Sequence, residues 1–163
     1  MQKLKKQGLN ILKMVHLLFV VMWIGGAIAL TIVLFSVQPE GGDELYMKSR
    51  VIQIIDDFII IPGALGNLFI GVVYGVWTKF GFFKFRWMIV KWMLTVIQIL
   101  FGTFFLGPWV NENVKIANEL RGAAFSDEIF QHNLEMNAIW GTVQLSLLLF
   151  VLVVSVQKPW KKK

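Results

Sequence analysis

Only two histidines occur in the chain, and one of them, His16, stands just inside an apolar run, KMVHLLFVVMWIGGAIAL. A neutral imidazole in that position can bind iron or copper; the plainer alternative is an interfacial histidine bonded to water or a lipid headgroup. Lys91, in RWMIVKWMLTVIQILFG, is the second residue of interest. A charge inside an apolar span is costly and points to function by default, although a lysine close to a helix end can also snorkel to the headgroups. Lys91, Thr95, Gln98 and Gly102 recur at i, i+4, i+7 and i+11, which puts a narrow polar and small stripe on one helical face. On the first run His16, Trp23 and Ala27 share a face with Gly26 beside them, and small residues there admit another helix or a flat ring. Met88, Met93 and Gln144 are further candidates to line a site, with methionine also a common packing residue. With no cysteine, disulfides, iron–sulfur clusters and thiolate metal sites are excluded.

The elements that must position these groups are membrane spans. Hydrophobic residues make up 56% of 163 residues and mean hydropathy is +0.65, beyond what a soluble domain of this length tolerates. A spanning helix needs roughly 20 predominantly apolar residues. Four stretches qualify, at about 14–35, 58–77, 87–107 and 138–156, and their unbroken apolar character marks helices rather than alternating barrel strands. The expected fold is therefore all-α, a single four-helix transmembrane bundle over residues 1–163. The first span is too long for a signal-peptide core and belongs to the mature chain.

Charge placement predicts the orientation. Lys3, Lys5, Lys6, Lys13, Lys79, Lys84, Arg86, Lys91, Lys158, Lys161, Lys162 and Lys163 fall on the side of the two termini, and the Asp and Glu residues fall on or toward the other side. Lysine and arginine bias puts that first side, with both termini, in the cytoplasm. The net charge of +6 then reports topology in a cytoplasmic membrane rather than nucleic-acid binding. On this reading His16 and Lys91 lie at similar depth in the same leaflet and can face each other across the bundle.

Outside the spans, QKLKKQGLNILK reads as a charged anchor before the first span or a weakly amphipathic interfacial helix. PEGGDELYMKSR reads as a short acidic outer connection. The longer polar stretch 108–137 offers Ser126 as a helix N-cap, so that the fourth helix begins before the bilayer. In the second helix Pro62 predicts a kink. Its glycines 63, 66, 71 and 75 predict tight packing, with space for a planar cofactor as the alternative, and Asn67 is its mid-span polar residue. Asp56 and Asp57 are adjacent, so they point to different faces and form no acid/base dyad. His132 pairs with Met136 at i+4 on the outer side. The bilayer core is about 30 Å thick, which prevents His132 and His16 from sharing a metal. No hydrolase, P-loop, dinucleotide or HExxH motif occurs.

The arrangement His16-x6-Trp23-x-Gly25-Gly26, followed by MKSRVIQIIDDFIIIPGALGNLFIGV and RWMIVKWML with Lys91, resembles a superfamily of small membrane proteins. It includes the HemJ-type protoporphyrinogen oxidase, the CopD-like copper-resistance domain and uncharacterised relatives. The similarity covers roughly residues 13–105. The resemblance implies a four-helix membrane bundle holding haem b, with His16 as an axial ligand and Lys91 as the opposite ligand or a propionate partner. Trp23, Gly26, Thr95 and Gln98 would line the cavity. The oxidase branch usually continues its first helix into a Pro-Arg pair, whereas this chain reads GGAIALTIVLFSVQPE with no arginine before Arg50, which argues against protoporphyrinogen as substrate.

Three functions remain in competition. The first is a haem-dependent redox protein passing electrons between a quinol or porphyrin-like donor and an acceptor, the quinone being inferred from location alone. The second is a copper or small-cation handling protein with His132 and Met136 at its entrance. The third is a structural subunit whose glycines pack against a partner, a second copy of the chain included.

Overall fold

The computed structural model describes residues 6–78, 81–82 and 84–159; Lys3, Lys5, Lys79 and lysines 161, 162 and 163, which carry part of the expected topology signal, lie outside the described residues. Apolar sequence without a proline carries helix α1 (Lys6–Ser36), about 46 Å at 1.5 Å per residue. The segment expected to be an anchor or an interfacial helix is, from Lys6 onward, the first turns of this helix. It ends where Pro39 and the Gly41-Gly42 pair follow.

Helix α2 (Gly42–Ile55) starts with Asp43 and Glu44 in its first turn, where carboxylates complement the helix dipole. It passes through a π-helical segment (Asp56–Ile60) into α3 (Ile61–Trp77), so that Gly42–Trp77 is one rod. Helix α4 (Arg86–Phe101) passes in the same way through a second π-helical segment (Gly102–Leu106) into α5 (Gly107–Leu120). A short 3-10 turn (Arg121–Ser126) then leads to α6 (Glu128–Gln157). No strand occurs among the described residues.

Both π-helical segments stand directly before a proline, Pro62 and Pro108, and this placement has a steric reason. Proline has no N–H, and its ring clashes with the carbonyl four residues back. A widened turn relieves the clash: the residue preceding each proline donates five residues back, Ile61 N–H to Asp56 O and Gly107 N–H to Gly102 O. The disturbance expected at Pro62 thus takes the form of one inserted residue. The two segments lie together, since a Cβ on Gly107 would come within 4.0 Å of Asp56 Oδ2.

Four helices are long and apolar enough to cross a membrane. Within their most apolar windows only 11–22% of residues are buried; the large outward side chains, Phe58, Phe69 and Phe104 among them, suit a hydrocarbon solvent rather than water. The interior is correspondingly narrow. Trp23, Ala64 and Leu148 pack midway, Leu34, Ile52 and Val110 pack higher, and Leu45, Ala117, Ala124 and Phe130 close the end away from the termini.

That closed end differs from expectation. The acidic connection is most of α2, and the polar stretch 108–137 is α5, the 3-10 turn and the first turns of α6. Helix wins because each polar segment carries a mostly apolar buried stripe at helical spacing: Leu45, the small Ser49 and Ile52 on α2, and Val110, Val114 and Ala117 on α5, which is the i, i+4, i+7 signature of one buried face. The N-cap of α6 is Asp127, whose Oδ1 accepts from Phe130 N–H at 2.8 Å, in place of Ser126. Arg121 has φ +48°; its guanidinium covers the Tyr46 ring at 4.3 Å and pairs with Asp43 at 3.5 Å, tying the end of α5 to α2.

Candidate functional site

At the end of the bundle that holds both termini, α1, α3, α4 and α6 surround a cavity of about 530 Å3. Helix α1 packs along α3 and α6, and α4 along α6, while α3 meets α4 only briefly; the space lies between these pairs. Its volume falls within the range of cofactor and small-molecule sites. His16, Lys91, Trp23 and Thr95 all line it. The histidine of α1 and the lysine of α4, expected to face each other across the bundle, line the same cavity.

His16 Nδ1 is buried and has no hydrogen-bond partner. The imidazole edge meets the Tyr74 ring, centroids 5.7 Å apart and planes at 74°, an aromatic contact that helps to hold the ring. Asn67, by contrast, donates to Gly63 O at 3.0 Å, and Ser155 donates to Val151 O at 2.7 Å. The wall includes the indoles of Trp87 and Trp92, and Lys13 and Lys158 stand at the terminal mouth, where Lys158 Nζ is 6.0 Å from the Trp87 ring centroid.

The other two predicted lining residues lie outside the cavity. Gly26 is buried against α2's continuation: a Cβ there would be 2.9 Å from Ile60 Cγ1, so Ile59 and Ile60 occupy the space that a flat ring would need. Gln98 is 3% exposed, about one turn beyond Thr95, and its Nε2 has no partner. Gly102, the last member of that stripe, faces Gln144, whose Nε2 would be 3.6 Å from a Cβ at the glycine. Met88 lines the cavity, whereas Met93 points outward, 58% exposed.

The glycines of α3 divide between the two roles considered for them. A Cβ on Gly63 would lie 2.7 Å from Trp23 N and one on Gly66 2.3 Å from the Phe19 ring, so both serve close packing on α1. Gly71 and Gly75 line the cavity, yet they also receive the Trp92 and Phe82 rings.

Tyr74, Trp87, Trp92, Lys13, Ser155 and Lys158 were not singled out from sequence. Periodicity held a usable signal for two of them: Lys13 precedes His16 by three residues, and Ser155 follows Leu148 and Val151 at i+7 and i+4 on α6. His132 is exposed, and among the described residues no three His, Cys, Asp or Glu side chains converge as a metal site. Asp56 is half-buried and Asp57 exposed, as adjacent residues on different faces should be. No protein-family model, curated protein or solved structure matches this chain.

Proposed function

We propose that this chain is a haem b-binding redox protein of the cytoplasmic membrane, with both termini inside, passing electrons between a quinol or porphyrin-like donor and an acceptor. The observation that carries the proposal is the buried, unpartnered ring nitrogen of His16 in the wall of a 530 Å3 cavity that Lys91 also lines. A buried polar atom without a partner is costly, and an imidazole nitrogen left without a hydrogen bond in the wall of a largely apolar chamber is available for ligation.

The residues present fit an amphipathic, anionic, flat group. Trp23, Trp87 and Trp92 offer apolar faces, and Lys13 and Lys158 put positive charge at the terminal mouth, where carboxylates would be held. Lys91 stands between these regions as a propionate partner or, when neutral, a second ligand. Bound haem supplies one-electron chemistry, with axial-ligand identity and burial setting its potential. The chain's own part is to present a neutral imidazole, keep water from the apolar faces and neutralise the carboxylates. The lysine bias toward the terminal side supports the orientation.

The test is the absorption spectrum of protein purified in detergent after expression with ample haem, oxidised and dithionite-reduced, beside His16→Ala and Lys91→Ala. The expected result is a Soret band with sharp reduced α and β bands, lost in His16→Ala and shifted or weakened in Lys91→Ala. A colourless wild type, or a spectrum unchanged in His16→Ala, defeats the proposal.

A further inference from the structure

A second, smaller cavity lies at the opposite end of the bundle, between the end of α1, α2, α5 and the start of α6. It has a volume of about 210 Å3, smaller than most cofactor and drug-sized ligand sites. Its wall is mostly apolar, with Leu34, Ile52, Val110 and Phe130 contributing, and two of its polar side chains have unused capacity.

Lys48 is the first. Its ammonium donates to Leu34 O at 2.8 Å, and among the described residues no carboxylate pairs with it. A partner is available on the same helix: Glu44 stands four residues earlier, the favoured spacing for a Glu–Lys pair. Glu44 instead accepts from Glu40 N–H at 2.8 Å, and Asp43 is paired with Arg121. The half-buried ammonium thus has no carboxylate partner among the described residues and keeps donors that an anion can use.

Asn113 is the second. It is 6% exposed, and its Oδ1 is buried with no partner, although its Nδ2 donates to Phe130 O at 3.2 Å. The other buried polar side chains of the wall behave differently. Ser49 donates to Leu45 O at 2.9 Å, and Asn137 donates to Asn133 O at 3.0 Å.

We infer that this cavity is a binding site for a small organic carboxylate that also carries a hydroxyl or amide N–H on a short branched apolar body. The carboxylate would meet Lys48, the donor would meet Asn113 Oδ1, and the body would fill the aliphatic wall. A charge-assisted contact, a neutral hydrogen bond and apolar burial then act together, which is how a small pocket obtains orientation as well as affinity. The site is separate from the His16 cavity and does not depend on what that cavity holds.

Leucic acid is the probe, with isocaproate lacking the hydroxyl and isohexanol keeping one hydroxyl but lacking the carboxylate and its charge. Each is titrated calorimetrically into the detergent-solubilised full chain. Leucic acid should bind and raise the unfolding midpoint, isocaproate should bind up to roughly tenfold more weakly, and isohexanol should give no saturable signal. Lys48→Met should weaken leucic acid by at least roughly tenfold, and Lys48→Arg should restore most of the binding. Absence of binding up to roughly 10 mM, equal binding of the alcohol, or affinity indifferent to Lys48→Met would each overturn the inference. The comparison among the three probes decides the matter on the wild-type chain even if Lys48→Met fails to fold.

Discussion

At Gly63 a single hydrogen atom decides whether α1 and α3 can meet. A Cβ there would sit 2.7 Å from the backbone nitrogen of Trp23, an atom that cannot swing aside, whereas at Gly25 nothing lies within 4 Å. Gly63→Ala is expected to lower stability by about 1–3 kcal/mol through overpacking, and Gly25→Ala to be neutral or stabilising by up to about 1 kcal/mol, as alanine for glycine within a helix normally is. Tryptophan fluorescence during thermal unfolding in detergent measures both; equal midpoints for the two variants would show that the contact is not tight. His16, Lys91, Trp23 and Thr95 could be found from residue type and helical face, because a stripe of unlike residues in an apolar helix has to face protein. Gly26 and Gln98 share those faces but lie further along the rods, and no pattern in the chain marks where the cavity stops. Ile59 and Ile60 set that limit at Gly26.

The element whose form matters most is the π-helical segment before each proline. One inserted residue changes the helical phase by about 100°, so the buried stripe of α2 and the glycine face of α3 are aligned with different partners on one continuous rod. Deleting Phe58, which lies in the first segment and is 71% exposed, should restore ordinary helical phase without removing a packed side chain. Either Gly63 and Gly66 then leave α1, or Leu45 and Ile52 leave the far end. A marked fall in the unfolding midpoint is expected, far larger than for Phe58→Ala, which removes only an outward side chain. Equal midpoints for deletion and substitution would mean that the phase change has no structural role. Proline announces a disturbance in the sequence, but a kink and an inserted residue look alike there. The polar appearance of α2 and α5 hid helices for a related reason, since three or four apolar positions among many charges identify a helix only when a neighbour covers them.

For the whole molecule the decisive quantity is orientation. The chain lacks cysteine, so a single introduced thiol reports its side of the membrane without background. Ser126→Cys, at the far end and exposed, should react with an impermeant maleimide in intact cells; Gln7→Cys, exposed at the start of α1, should react only after permeabilisation. The reverse pattern would invert the proposed topology and place the His16 cavity toward the exterior. Orientation also determines which compartment can supply the small carboxylate proposed for the Lys48 cavity.

Composition and run length alone determined that the chain forms four helices able to cross a bilayer, because apolar runs of that length satisfy their backbone only as helices in lipid. The lysine distribution further predicted one depth for His16 and Lys91, and the two line one cavity. What only the tertiary structure decided is which faces meet: that Trp92, Tyr74 and Trp87 complete the chamber around His16, that Gly26 is filled by isoleucines, and that two polar connections fold into a second cavity around Lys48 and Asn113. Local sequence sets helix type through neighbours three and four residues apart, whereas a cavity is the volume left between faces distant in the chain, and its boundaries arise only when those faces pack.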